Sequence, residues 1–250
     1  MLLYRADQEK VASSWSQRAL LPVSAVLDPL RVGRRRRALA LTARIGMLAA
    51  GAMVIATCIA VMFWNDLGAG PLDVFIAALR ERTGLPLTFA VWITVGTLTV
   101  IAWLLGRRPG MGTIIGPILV GPMMQLMLAN LERVDPPQWL AVRIAIHLVA
   151  VGAVGIGLGL VMASRLGQGT GELLAQAASD RTGRPEQRVR LMCEATYLSI
   201  GALLGGPIGL GTVLVALCIG PSVARGRRIV SASLDVSRRQ LSAAYWALPR

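Results

Sequence analysis

Long stretches without charged residues constrain this sequence more than any other feature. A helix that crosses the hydrocarbon core of a bilayer needs about 20 apolar residues, because each residue rises about 1.5 Å. Four uncharged runs reach that length: Ile45–Trp64, Leu85–Gly106, Pro109–Leu131 and Ile144–Ser164. Charged residues make up 16% of the chain, whereas soluble proteins carry about 25%. The sequence therefore predicts an all-α integral membrane protein and excludes a water-soluble globular domain.

A fifth uncharged region, Ala195–Ala224, has the length of one long helix or of a tight hairpin. Its centre, residues 205–211, reads Gly-Gly-Pro-Ile-Gly-Leu-Gly. Because clustered glycine and proline favour turns, we predict two spans here, near residues 189–205 and 209–224. With the four runs above, this gives six predicted crossings.

The sequence repeats itself at a fixed offset of 99 residues. The matching segments are Leu67–Gly70 with Leu166–Gly169, Arg82–Pro86 with Arg181–Pro185, and Gly110–Thr113 with Gly209–Thr212. Self-similarity at one period indicates copies of one structural unit. In the first copy, Arg107 and Arg108 mark a loop between the second and third spans. Its uncharged equivalent in the second copy is therefore predicted to be a loop as well, and the chain to be two copies of a three-span unit.

The distribution of arginine predicts how these units lie in the membrane. Three spans are an odd number, so the second copy must enter the bilayer from the opposite side. With the amino terminus in the cytoplasm, most arginines fall in cytoplasmic segments, as the positive-inside rule requires. The repeats are thus predicted to be inverted, with both termini cytoplasmic. The predicted divisions are a basic cytoplasmic arm at 1–40, the first repeat at 41–130, an external linker at 131–142, the inverted second repeat at 143–224 and a basic cytoplasmic tail at 225–250.

The net charge of +13 comes almost entirely from arginine. Basic clusters bind nucleic acid in many soluble proteins, but here they flank membrane spans, so we predict the lipid bilayer as the partner and no nucleic acid. A small solute or ion, a second copy of the chain and another membrane protein are further candidate partners. The three cysteines lie inside apolar runs without metal-ligand spacing, so no cofactor and no metal are expected.

Three glycine-rich motifs carry a resemblance to a known family. They are Leu-Gly-x-Gly-Pro-x-Asp at Leu67–Asp73, Arg-Thr-Gly at Arg82–Gly84 and Pro-Gly-x-Gly-Thr at Pro109–Thr113. With these residues the chain resembles the YczE/YyaS/YitT family of bacterial membrane proteins, and within it the YczE branch, over roughly residues 40–225. The resemblance implies a multi-pass protein of the bacterial inner membrane and supplies no established activity. The second copy departs from the pattern, because Thr170-Gly171-Glu172 replaces Pro-x-Asp.

The Gly-x-Gly-Pro-x-Asp motif predicts a short helix at about residues 71–82. Pro71 suits the first turn of that helix, and Asp73 suits its positive end. The helix is too short to cross the bilayer, so each repeat is predicted to hold one interfacial or re-entrant helix. Two interpretations remain open for Asp73 and the equivalent Glu172: a turn with a helix cap, or a gate or ion site.

Matched glycine-proline pairs lie in the third and sixth predicted spans, Gly121-Pro122 and Gly220-Pro221. Proline removes a helical hydrogen bond, so these pairs are predicted to interrupt the helices. Matched breaks in inverted halves are typical of the midplane site of a transporter. The alternative is a kink that improves packing.

Glu194 lies within the fifth predicted span, where a charge is costly unless it faces a cavity or a partner. It is either a carboxylate that couples transport to a cation or the partner of Arg190, four residues away on the same helical face. No soluble-type catalytic arrangement is present, so we do not expect an enzyme. We predict a small-solute or ion transporter that works by alternating access. The alternative is a non-transporting accessory or scaffold protein that supports another complex.

Overall fold

The computed structural model describes residues 34–246, with side chains described for residues 41–234. Within this part the chain folds into eight helices and no strand. They are α1 (Arg34–Trp64), α2 (Pro71–Thr83), α3 (Leu87–Leu104), α4 (Met111–Leu131), α5 (Leu140–Ser164), α6 (Thr170–Thr182), α7 (Glu186–Leu203) and α8 (Leu210–Trp246). The predicted all-α fold is confirmed. Most of the predicted basic arm, residues 1–33, lies outside the described residues.

Four helices in the described part are long and apolar enough to cross a membrane: residues Leu41–Trp64 of α1, together with α3, α4 and α5. Helices α3 and α7 are both 18 residues long, but α7 carries charged side chains throughout its first half. Helix α8 begins with an apolar segment and becomes basic from Arg225 onward. The structure thus gives four candidate spans by length and composition, where the sequence predicted six.

The turn predicted at 205–211 is confirmed, because α7 ends at Leu203 and α8 begins at Leu210. The predicted short helix is also confirmed as α2, in which Pro71 occupies the first turn. Its equivalent α6 is also 13 residues long, which corresponds to a helix length of about 20 Å. Both helices are therefore too short to cross a hydrocarbon core of about 30 Å.

Helices and turns recur at the spacing of the sequence repeat. Both bounds of α2 and of α3 recur 99 residues later as the bounds of α6 and α7, and so does the first residue of α4. Backbone conformation recurs too: Asp66 and Arg165 have φ of 50° and 54°, and Gly106 and Gly205 have φ of 104° and 89°. The repeat in the residues is thus matched by a repeat in local structure.

The two halves of the chain exchange the same hydrogen bonds. The Gly112 N–H, at the start of α4, donates to the Leu166 carbonyl at 2.8 Å. The Gly211 N–H, at the start of α8, donates to the Leu67 carbonyl at 2.6 Å. Both donors and both acceptors are 99 residues apart. Each half therefore binds, through its last long helix, the loop that follows the first helix of the other half.

Two arginines make a second reciprocal pair of contacts. Arg82 Nε donates to the Leu204 carbonyl at 2.8 Å, and Arg181 Nε faces the Leu105 carbonyl at 3.4 Å. Arg82 lies at the end of α2 and contacts the end of α7, whereas Arg181 lies at the end of α6 and contacts the end of α3. Each short helix is thus fixed to the other half of the chain.

Close approaches between glycines hold the long helices together. A Cβ atom on Gly51 of α1 would lie 2.7 Å from the Gly157 carbonyl oxygen of α5, so no side chain fits there. In the same way, a Cβ atom on Gly226 of α8 would collide with the backbone of Gly155 in α5. Small residues let membrane helices approach until their backbones touch, which supplies packing where lipid removes the hydrophobic driving force.

The expected proline interruptions do not occur. Helix α4 continues through Pro117 and Pro122, and α8 continues through Pro221. Trp92 on the neighbouring α3 donates its Nε1–H to the Pro117 carbonyl at 3.0 Å, which gives this segment a polar partner from outside its own helix. Neighbouring helices can supply such partners, so proline does not have to end a membrane helix.

Candidate functional site

A cavity of about 250 Å³ lies between the first turns of the two short helices, α2 and α6. Gly70–Asp73 contributes to it from one half of the chain and Gly169–Glu172 from the other. The long helices α1, α5 and α8 form one wall, and α7 forms another. The amino-terminal ends of two helices therefore meet at one cavity, and each brings the partial positive charge of its dipole.

Three of the carboxylates predicted from sequence line this cavity: Asp73, Glu172 and Glu194. Asp73 and Glu172 are each the third residue of a short helix, as their shared position in the repeat predicts. Glu194 reaches the cavity from α7. The structure thus brings together residues that are far apart in sequence and belong to three different helices.

Arg190 also lines the cavity and connects two of these carboxylates. Its Nε donates to Glu194 Oε1 at 3.0 Å, which confirms the pairing predicted from their spacing on one helix. Its guanidinium also lies 3.9 Å from Glu172 Oε1 on α6. This second contact could not be predicted, because spacing along a chain identifies neighbours only within the same helix.

Asp73 is different from the other two carboxylates. In the part of the chain with described side chains, it takes part in no ion pair. It folds back toward its own helix start, so that a Cβ atom on Gly70 would lie 2.9 Å from Asp73 Oδ2. Two carboxylates thus share the Arg190 guanidinium while Asp73 has no ionic partner in this part of the chain, and the side chains of the cavity carry an excess of negative formal charge.

The long helices give the cavity an apolar wall. Its side chains come from α1, α5 and α8 and include Ile55, Ile59, Met62, Val154, Leu158 and Val215. Tyr197 on α7 lines the cavity as well, and its buried hydroxyl has no hydrogen-bond partner within the described residues. The cavity therefore combines a charged face and an apolar face, as sites for small ligands commonly do.

Comparison with known proteins identifies the family. The chain matches the Family of unknown function (DUF6198) over residues 42–228. It belongs to this family. It is 31% identical to the "Uncharacterized membrane protein YczE" of Bacillus subtilis over 157 residues, which is 62% of this chain and 71% of that protein. It is 27% identical to an "Uncharacterized protein" of Haemophilus influenzae, over 64% of this chain and 72% of the relative. No solved structure matches.

The resemblance to the YczE branch is thereby confirmed, and the protein is a membrane protein of an uncharacterised family. The matched segment, residues 42–228, contains both short helices and every residue that lines the cavity. Both reciprocal pairs of hydrogen bonds also lie inside it. The cavity thus belongs to the family portion of the chain and not to its basic ends.

In this family member, the glycine-proline pairs do not join the cavity. Gly121 packs against α3, where an added Cβ atom would lie 3.1 Å from Trp92 Nε1, and Pro122 is exposed. Gly220 and Pro221 are exposed on α8, although the preceding residue lines the cavity. Of the seven candidate residues, the structure therefore groups the three carboxylates and leaves the four glycine and proline positions outside.

His147, the single histidine, is also outside the cavity. It is fully buried where α1, α5 and α8 meet, and its imidazole occupies the space that a side chain on Gly211 would need. Among the described residues, no group of three or more His, Cys, Asp or Glu side chains is placed to hold a metal ion.

Proposed function

We propose that this protein is a six-span transporter of a small solute or ion in the bacterial inner membrane, built from two inverted three-span units. The units correspond to residues 41–130 and 143–224, with both termini in the cytoplasm. Helices α1, α3 and α4 form the first unit, and α5, α7 and the apolar part of α8 form the second. The reciprocal hydrogen bonds support this arrangement, because a two-fold relation pairs each contact with its own image.

The charges of α7 fit a membrane span that faces a cavity. Arg190 and Glu194 bond to one another and line the cavity, so neither charge is presented to lipid alone. Ionisable groups within membrane helices commonly face the interior and pair in this way. The other charged residues of α7, Glu186 and Arg188, lie in its first turn, where a polar headgroup region can solvate them.

The charged cavity at the meeting of the two short helices is the observation that carries the proposal. In transporters with inverted repeats, substrates and coupling ions bind between the repeats at positions where helix ends point into the bilayer. Here two helix starts, three carboxylates and one guanidinium meet in one cavity, which is also lined by α1 and α5, two helices that are apolar enough to span.

Two contacts at equivalent positions of the repeat provide a basis for alternating access. In one, Gly68 packs against Gly209 and Thr212 at the start of α8. In the other, Gly167 packs against Gly112 and Thr113 at the start of α4. Gly68 and Gly167 each precede by two residues the glycine that lines the cavity. Opening one contact while the other holds would expose the cavity to one side of the membrane.

Flux measurements in proteoliposomes test the proposal. The purified protein is reconstituted, and uptake from a mixed pool of small metabolites is compared with uptake by empty liposomes, with an entrapped pH-sensitive dye reporting proton movement. We expect the wild type to move at least one solute or proton and Glu194→Gln to lose most of this flux. Glu186→Gln, a matched change at an exposed position of the same helix, should keep it.

Two outcomes would contradict transport. If the wild type moves no solute and no proton, or if Glu194→Gln and Glu186→Gln behave alike, the cavity does not carry out transport. Recovery of the chain with one fixed membrane partner, together with unchanged cellular function in Glu194→Gln, would favour the accessory or scaffold role. We propose no enzymatic role for the cavity.

A further inference from the structure

The charged and apolar faces of the cavity suggest what it binds. We propose that the ligand is a small organic cation, an ammonium group on a short apolar chain, with Asp73 as its counter-ion. This inference rests on the proposed transport function only for what happens to the ligand after binding. The binding itself follows from the distribution of charge, hydrogen-bonding groups and hydrocarbon around the cavity.

The first step concerns charge. Arg190 is hydrogen-bonded to Glu194 and lies close to Glu172, so its positive charge is already paired. Asp73 has no cationic partner within the described residues. Asp73 accepts a hydrogen bond from the Gly70 backbone, but a carboxylate held among apolar helices without a cationic partner is still costly, and a cationic ligand would reduce that cost. An anionic ligand would add to the excess negative charge.

The second step concerns Tyr197. Its hydroxyl oxygen is buried beside the Cys193 side chain, makes no hydrogen bond of ordinary geometry within the described residues, and lines the same cavity as Asp73. An ammonium group has three N–H donors, and a carboxylate and a phenolic oxygen are acceptors for two of them. The aromatic ring also attracts a cation that approaches its face. Tyr197 therefore gives an ammonium ligand a second point of attachment.

The third step concerns the apolar wall. Small hydrated metal ions such as Mg²⁺ and Ca²⁺ need six or more oxygen ligands or retained waters. The apolar wall, which includes Ile55, Ile59 and Val154, offers hydrocarbon and no oxygen from its side chains. A cation with a hydrocarbon portion can cover this wall. The volume of about 250 Å³ limits the ligand to a small molecule.

Ligand-dependent thermal unfolding tests this inference. The full-length protein in detergent is titrated with ethyl-, butyl- and hexylammonium chloride. Butanol and sodium butyrate are the neutral and anionic controls of matched shape. We expect a concentration-dependent rise in the unfolding temperature with an ammonium compound, because a ligand that binds the folded state stabilises it. Butanol and butyrate should give no comparable rise.

Two substitutions locate the binding. Asp73→Asn should weaken ammonium binding about tenfold or more, since it removes one charge-assisted hydrogen bond. Tyr197→Phe keeps the ring and removes the hydroxyl, so it should weaken binding less and serves as the second variant if Asp73→Asn unfolds. Asp180→Asn, the same chemical change at an exposed aspartate outside the cavity, should bind as the wild type does.

The results separate this inference from the transport proposal. If no ammonium compound raises the unfolding temperature, if butyrate does so equally, or if both Asp73→Asn and Tyr197→Phe respond as the wild type does, the inference is wrong. Flux of an anionic or neutral solute would then leave transport standing without it. Ammonium binding that depends on Asp73, in a protein that shows no flux, would support the inference and refute transport.

Discussion

Replacing Gly68 by alanine tests the packing that encloses the cavity. Gly68 has φ of 99°, a conformation that residues with a Cβ atom rarely adopt, and forcing it costs about 1–3 kcal/mol. The added Cβ would lie 2.5 Å from Thr212 Oγ1 and 2.7 Å from the backbone nitrogen of Gly209. A threonine side chain can rotate away, but the backbone of the neighbouring half cannot.

Such overpacking adds about 1–3 kcal/mol to the backbone cost. We therefore expect Gly68→Ala to lower the free energy of unfolding by about 2–6 kcal/mol. Gly84→Ala is the matched control, because Gly84 has φ of 68° and open space around its Cβ position. It should be destabilised only by the same backbone cost of about 1–3 kcal/mol.

The measurement is chemical denaturation of both variants in the same detergent, with helix content monitored by far-UV circular dichroism. The comparison isolates the contact between the halves, because both variants share the backbone cost. If Gly68→Ala is no less stable than Gly84→Ala, the loop does not pack against α8 as described, and the proposed closing contact on that side is wrong.

Three further predictions concern other contacts. Arg190→Val alone should destabilise the protein more than the double variant with Glu194→Val, because the single change leaves a carboxylate unpaired. Both side chains are partly exposed, so a double-mutant cycle should give a coupling free energy of about 0.5–1 kcal/mol. Additive effects would contradict the pairing. The hydrogen bond from Arg107 lowers the pKa of Asp180, so this ion pair should stabilise the protein at neutral pH and cease to do so as pH falls through that lowered pKa. The unfolding temperature, measured against pH, should therefore fall less on acidification in Asp180→Asn than in the wild type. Gln125→Ala should cost about 1 kcal/mol, since its Oε1 accepts hydrogen bonds from the first turn of α3, and a denaturation midpoint equal to that of wild type would refute this.

The helices of this protein are largely predictable from its sequence, because each depends on short-range pattern. The turn near Gly205–Gly206 carries no charge and is ambiguous by hydropathy alone. The repeat resolved it, since the equivalent positions in the first copy hold Arg107. The same equivalence placed Asp73 and Glu172 at matching helix starts, and the structure brings both to one cavity.

The contacts across helices were not predictable in the same way. Arg190 could be paired with Glu194 from their spacing, but its approach to Glu172 depends on how α6 packs against α7. The glycine-proline pairs were expected at the site because proline weakens a helix locally. Whether the helix breaks depends on its neighbours, and here α4 passes through Pro122 unbroken.

The two copies of the repeat share the bounds of several helices but not their charges, and this difference bears on function. Counting back by the repeat, the positions equivalent to Arg190 and Glu194 are Val91 and Val95 on α3. Val91 is buried in an apolar cluster. The first half therefore offers no guanidinium to Asp73 where the second half offers one to Glu172. Asp73 is thus unpaired because the two copies have diverged, since a copy that kept an arginine at position 91 would have placed a guanidinium near Asp73. In the second half Arg190 lies close to Glu172, whereas the first half has Val91 at the equivalent position. A cationic ligand bound at Asp73 would therefore form in the first half the ion pair that Arg190 forms in the second.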